Sequence, residues 1–248
     1  MQIETAKASL LGDREENQDR VGVLRRGDSL LAVVLDGMGG HSRGDLAAQV
    51  ALDCMLKKFA EAKLPLMQEQ RFLSELIFDA HEAVIKAGAQ MSMDMMPRAT
   101  AAVCLIQRDR MLWAHVGDSR LYHTRKNKLL TRTRDHTHVE MLLQQGLIKE
   151  SQINEHPMRN YVESCLGGEI EMSILTESGP MTVEAGDRIM LCSDGLWSAF
   201  SDTEIAEHLS RHDMKTQDMV ENMCELAVNR CFPMSDNTSV VVLKINET

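Results

Sequence analysis

Leu30-Leu31-Ala32-Val33-Val34-Leu35-Asp36-Gly37-Met38-Gly39-Gly40-His41 is the stretch on which the fold turns. Six apolar residues with no polar break predict a buried strand. Asp36 and the glycines after it predict that the strand stops at a carboxylate. Residues 44–62 then switch to helical spacing, with Leu46, Val50, Cys54 and Phe59 on roughly one face, and residues 68–90 repeat the pattern through Phe72, Leu76, Ile77, Ala80 and Val84. Upstream, residues 2–10 and 20–25 carry short β-like patterns. Downstream come strand-like runs at 99–107 and 111–116, joined by Arg108-Asp109-Arg110, and a further strand at 121–124. A helix at about 136–146, a polar stretch to Asn160, strands near 172–178 and 187–192, helices near 202–211 and 216–231 and a last strand at 238–245 complete the order. Many short strands in hairpin order with paired helices predict an α+β fold, antiparallel sheets layered with helices outside, rather than an alternating parallel βαβ array.

The chain has 248 residues, 44% hydrophobic and 26% charged, an ordinary balance for a packed protein. No linker or repeat interrupts it, so one domain spanning 1–248 is expected. No apolar run approaches the ~18 residues of a membrane span, and residues 1–10 lack an apolar signal core. A cytoplasmic protein is expected. Six widely spaced cysteines with no C-x-x-C pair read as reduced thiols. The formal net charge of −10 disfavours nucleic acid or an anionic membrane as the main partner. It fits carboxylates gathered for divalent cations, and equally a plain acidic surface.

The informative pattern is where the aspartates fall. Asp36 follows the 30–35 run, Asp118 lies in Gly117-Asp118-Ser119-Arg120 just past an apolar run, and Asp194 lies in Ser193-Asp194-Gly195. Asp236 lies in Ser235-Asp236-Asn237 before the last strand, and Asp19 ends Asn17-Gln18-Asp19 between two early strands. Each sits at a strand mouth beside Gly, Ser or Asn, where a rigid sheet can aim short carboxylates at one small volume. Backbone carbonyls and water can then complete an oxygen shell around Mg²⁺ or Mn²⁺. The competing reading is that each is a turn aspartate making an Asx-turn, and spacing alone leaves both open.

Arg14-Glu-Glu-Asn-Gln-Asp19, Asp36-Gly-Met-Gly-Gly-His41, Gly117-Asp-Ser-Arg120, Ser193-Asp-Gly-Leu196 and Ser235-Asp-Asn237 also occur in one particular order. In that order the chain resembles the metal-dependent protein phosphatases, the type 2C serine/threonine phosphatases, in their compact bacterial form, from about residue 9 to 243. The resemblance implies a four-layer α-β-β-α sandwich of two antiparallel sheets flanked by helix pairs. It implies that Asp36 bridges two Mn²⁺ or Mg²⁺ ions, that the Gly37 carbonyl ligates one, and that Asp194 and Asp236 complete the other. Asp19 would act directly or through water, and Asp118, with Asp194, would hold a weaker third ion. Arg14 would grip the substrate phosphate through its planar fork. Two such ions about 4 Å apart lower the pKa of a shared water toward neutrality, so a bridging hydroxide would attack phosphoserine or phosphothreonine without a covalent intermediate. Ser119 and Ser193 are then positioning residues. Phosphorylated proteins are the expected partners, with a cognate Ser/Thr kinase as the opposing enzyme, and a monomer is expected. The alternative is a non-catalytic regulator that binds phosphoproteins or a kinase through the same cleft.

Met38 stands where animal members often have a His proposed as general acid, Asp45 where the family usually has Glu, and Pro97-Arg-Ala-Thr100 replaces a more usual Met-Gly-Thr-Thr. None of these removes a metal ligand, so an inactive form is not expected. His41 is read as a structural hydrogen-bonder and His136-x-His138 as an ordinary helix start. Met91, Met93, Met95 and Met96 are read as filler before Pro97, Trp113 and Trp197 as packing beneath the motifs. Residues 146–160 match the family's flap beside the site.

Overall fold

The computed structural model describes residues 2–38, 43–92, 95–153, 156–168 and 175–247. In chain order these form β1 (Gln2–Leu10), β2 (Asp19–Arg26), β3 (Ser29–Met38), α1 (Gly44–Glu61), α2 (Glu69–Gly88), β4 (Arg98–Ala99), β5 (Ala101–Gln107), β6 (Arg110–Val116), β7 (Arg120–Arg125) and β8 (Lys128–Arg132). There follow α3 (His138–Gln144), β9 (Thr176–Glu177), β10 (Met181–Thr182), β11 (Arg188–Cys192), α4 (Asp194–Trp197), α5 (Asp202–Leu209), α6 (Thr216–Cys231) and β12 (Thr238–Asn246). One sheet runs β1-β12-β11-β7-β8 and the other β10-β6-β5-β3-β2, with β4 beside β3 and β9 beside β6. Every pairing is antiparallel.

The six apolar residues of β3 explain the layering. Side chains alternate across a strand, and Leu31, Val33 and Leu35 pack into the core shared with Ala48, Met55 and Phe59 of α1 and Leu73, Leu76 and Ile77 of α2. Leu30, Ala32 and Val34 face the opposite way, into a core shared with Ile189, Leu191, Val241 and Leu243 of the other sheet. That second sheet alternates in turn, sending Met190, Cys192, Val240 and Val242 outward against α5 and α6. Helix, sheet, sheet and helix thus follow one another, the four layers expected.

The expected elements are present within a few residues, with several differences, one of them the unanticipated β10, two residues long and too short to show alternation. β8 was not anticipated, because its hairpin turns on Lys126 and Asn127, both at positive φ without a glycine to announce the two-residue loop. The four-residue α4 is too short for a periodic signature. The strand expected at 172–178 is present at Thr176–Glu177, and residues 169–174 lie outside the described residues. α3 begins at His138 with Thr137 as cap, as an ordinary helix start requires. All six cysteines are free. No helix among the described residues is long and apolar enough to cross a membrane.

Candidate metal centre

The row Leu30, Ala32, Val34 on the inter-sheet face of β3 continues into Asp36 and Met38. Asp19 is the register partner of Asp36 across β2 and β3. Like charges directly opposite one another destabilise a sheet, so these two carboxylates oppose folding unless a proton or a cation lies between them. On the facing sheet, Asp194 follows β11 at the start of α4, and Asp236 lies two residues before the start of β12. Cys192 and Val240 are register partners, which brings those two strand ends together.

Two hydroxyl contacts tie the sheets directly beneath the carboxylates. Ser193 Oγ donates to Asp19 Oδ2 at 2.7 Å and accepts from the Ser239 amide at 3.0 Å. Thr100 and Ser119 Oγ atoms lie 2.6 Å apart, and Thr100 Oγ1 accepts from the Asp36 amide at 3.2 Å. Ser119 and Ser193 are therefore positioning residues. Gly37 is required by space: a Cβ there would lie 2.1 Å from the Gly44 carbonyl oxygen and 2.7 Å from that of Gln18.

Electrostatics couple the five aspartates. Burial, then the charges of Asp19, Asp194, Asp118 and Asp236, push the Asp36 carboxyl well above the usual range. Asp118 rises for the same first reason, with Asp194 and Asp135 adding to it. Burial lifts Asp19 to about 7, partly offset by the Ser193 and Ser239 hydroxyls. Burial and Asp236 lift Asp194 to about 6, partly offset by a hydrogen bond shared with Asp36. Asp19 Oδ1 and Asp194 Oδ1 are buried without a hydrogen-bond partner.

Such a set suits a hard divalent cation: the donors are oxygens, two are orphaned, and the mutual repulsion is what a cation removes. The side chains are not arranged as a finished cage. Among the described residues no group of three or more His, Cys, Asp or Glu is positioned to hold a metal ion. Asp236 Oδ2 is instead engaged by Arg14 at 2.5 Å, so the expected phosphate-binding residue is paired with an expected metal ligand. Arg14 is exposed at the mouth.

Several supporting residues have tasks that their place in the sequence did not disclose. Asn237 is the hub of the Arg14 loop: its Oδ1 accepts from the Gln18 amide at 2.8 Å, and its Nδ2 donates to the carbonyls of Leu11 at 2.8 Å and Glu16 at 3.0 Å. Asp13 clasps Ser235, accepting from its amide at 2.9 Å and its hydroxyl at 2.7 Å. Asp118 is framed from behind: Trp197 Nε1 donates to its carbonyl at 2.9 Å, and Arg120 stacks on that indole at 3.5 Å while gripping Asp135 through two 2.7 Å bonds. His136 closes the frame, its ring accepting from the Gly117 amide at 3.3 Å and its own amide donating to the Gly117 carbonyl at 2.9 Å. Trp197 thus packs beneath its motif. His41, Gly39 and Gly40 lie outside the described residues.

Comparison with known proteins identifies the family and the fold. Residues 8–229 match the family model described as protein phosphatase 2C. The serine/threonine phosphatase stp of Listeria monocytogenes is 32% identical over 200 residues, covering 79% of this chain and 78% of the Listeria protein. The crystal structure of the Mycobacterium tuberculosis serine/threonine phosphatase PstP/Ppp superposes with a TM-score of 0.85 at 29% identity, covering 99% of each chain. A structure of the PstP catalytic domain in complex with two manganese ions gives a TM-score of 0.83 at 27% identity, again over 99% of both chains. The chain belongs to the protein phosphatase 2C family, the metal-dependent protein serine/threonine phosphatases.

Proposed function

We propose that the end of the inter-sheet layer where Asp19, Asp36, Asp118, Asp194 and Asp236 face one another is where this phosphatase hydrolyses phosphoserine and phosphothreonine in proteins, the products of a Ser/Thr kinase. The observation that carries the reading is the opposition of Asp19 and Asp36 in register, with Asp194 Oδ1 buried and unpartnered on the facing sheet and the Asp194 charge acting on Asp36. Asp36, the Gly37 carbonyl, Asp194 and Asp236 would hold two Mn²⁺ or Mg²⁺ ions, with Asp19 direct or behind a water. Asp118 and Asp194 would hold a weaker third. When bound, such ions activate water and neutralise charge on the phosphoryl group.

The protein's own groups have separable tasks. Ser193, itself held by the Ser239 amide, keeps Asp19 in one orientation, and Thr100 fixes the β3 backbone at Asp36. Arg14 offers a planar fork to two phosphate oxygens, and reaching them requires it to release Asp236. Met38 lies on the Asp36 face and has no proton to give, so the leaving serine or threonine oxygen must take its proton from elsewhere. Comparing a phosphothreonine peptide with a nucleoside monophosphate tests the substrate class. The peptide should be hydrolysed far faster; equal turnover would point to a general phosphoesterase.

A further inference from the structure

The two places where this chain departs most from its family's pattern meet in space. Met38 and Arg98 are register partners across β3 and β4. Gly37 pairs with Ala99 and Val34 with Ala102, so β4 and β5 keep one register along β3, interrupted over residues 35–36 opposite residues 100–101. Partners across an antiparallel pair share a face, and residues two apart on a strand share one as well. Asp19, Asp36, Thr100, Met38 and Arg98 therefore form one row continuing the inter-sheet core outward, with Arg98 at its rim.

Arg98 is exposed, and among the described residues its side chain makes neither a hydrogen bond nor an ion pair. Two other arginines of the site are committed: Arg14 to Asp236, and Arg120 to Asp135. Ala99 of β4 bridges Leu166, the neighbour of the buried Cys165, and the charges of both Arg98 and Asp118 act on that thiol. An uncommitted guanidinium at the mouth of an acidic site, on a chain of net charge −10, is a local inversion of sign. Its place in the row also has a length. One step from Asp36 to Met38 along β3 is about 7 Å, and an extended substrate covers the same distance in two residues.

We infer that Arg98 is a specificity-determining residue that binds a second anionic group on the substrate, a carboxylate or phosphate about two residues from the phosphoserine or phosphothreonine being hydrolysed. The inference rests on the phosphatase reading above. Arg98 acts on the flanking group and Arg14 on the reacting phosphate. Acidic or doubly phosphorylated segments are then the preferred substrates, and the preference weakens with salt because the contact is exposed.

The test uses the full chain and matched phosphothreonine peptides that are neutral, glutamate-bearing, phosphoserine-bearing or lysine-bearing two residues from the phosphothreonine. The readout is the ratio of kcat/KM for each charged peptide over the neutral one, which is insensitive to partial loss of folded protein. Wild type should favour the acidic peptides about twofold to fivefold, in line with one exposed ion pair, chiefly through KM. Arg98→Ala should bring the ratio to about one, Arg98→Glu should turn the preference toward the lysine peptide, and Arg98→Lys should keep most of it. Whether glutamate or phosphoserine benefits more separates the two anion sources. An unchanged ratio in Arg98→Ala and Arg98→Glu, with wild type hydrolysing the peptides, overturns the assignment of Arg98. A wild type that hydrolyses none of them overturns the phosphatase reading itself.

Discussion

Asn237 shows how much of the site depends on a residue that never meets the substrate. Its buried amide satisfies one backbone amide and two backbone carbonyls of the loop that carries Arg14 and leads into Asp19. Asn237→Ala leaves those groups without partners at about 1–3 kcal/mol each where water cannot replace the bond. A loss of about 3 kcal/mol by denaturant unfolding and at least a tenfold fall in kcat/KM are expected; unchanged turnover would show that the loop holds itself. At this scale the aspartates were legible in the sequence, because each stands beside Gly, Ser or Asn at a strand end. Asp13 was not, and Asn237 was legible only as the motif neighbour of Asp236, not as the hub of the Arg14 loop. Asp13 meets Ser235 across 222 residues of chain, and a contact between loops leaves no local periodicity. The pairing of Arg14 with Asp236 was equally invisible, since the two motifs read as separate tasks.

The β3 strand links pattern to position. Its alternation places one apolar row against α1 and α2 and the other against the second sheet, and the second row ends in Asp36. The apolar run and its carboxylate end were legible. The side on which the carboxylate emerges was not, because both rows are apolar and only the partner layers distinguish them. The interruption at Thr100 was also hidden: β4 and β5 read as one run, whereas Thr100 breaks off to serve Asp36 and Ser119. The closeness of β3 to the start of α1 gives a sharp expectation. Gly37→Ala would press a methyl to within 2.1 Å of the Gly44 carbonyl oxygen, which is backbone and cannot swing aside. Separation of α1 from β3 should lower the melting temperature by several degrees and abolish turnover; a variant with wild-type melting and activity would show that the close approach is not needed.

For the molecule as a whole, stability and cation binding are linked through the same carboxylates. In protein treated with a chelator, Asp19 and Asp194, raised to about 7 and about 6 from an ordinary 3.8, bind more protons folded than unfolded. Stability therefore falls as pH rises through those values. Burial lowers His81, His115, His136 and His208, which opposes the trend below about pH 6.5, where an unfolded His takes a proton. The difference between melting temperatures with Mn²⁺ and with chelator cancels the histidines. That difference should be small near pH 5, where protons compete for the carboxylates, and should grow steadily to pH 8. A difference independent of pH would place the cation away from these aspartates. The layered architecture was legible at this scale from strand and helix order. The hairpin to β8 and the short α4 were not, since neither carries a glycine signal or a full helical period.

The most direct measurement is phosphate release from a phosphothreonine peptide as Mn²⁺ is titrated into wild type and Asp36→Asn, with folding of both checked by circular dichroism. Wild-type turnover should rise from background to saturation with Mn²⁺. Asp36→Asn should stay folded and lose at least a hundredfold in kcat/KM at every Mn²⁺ concentration, with weaker Mn²⁺ binding by calorimetry. Turnover that needs no divalent cation, or a folded Asp36→Asn protein with wild-type turnover, would contradict the account.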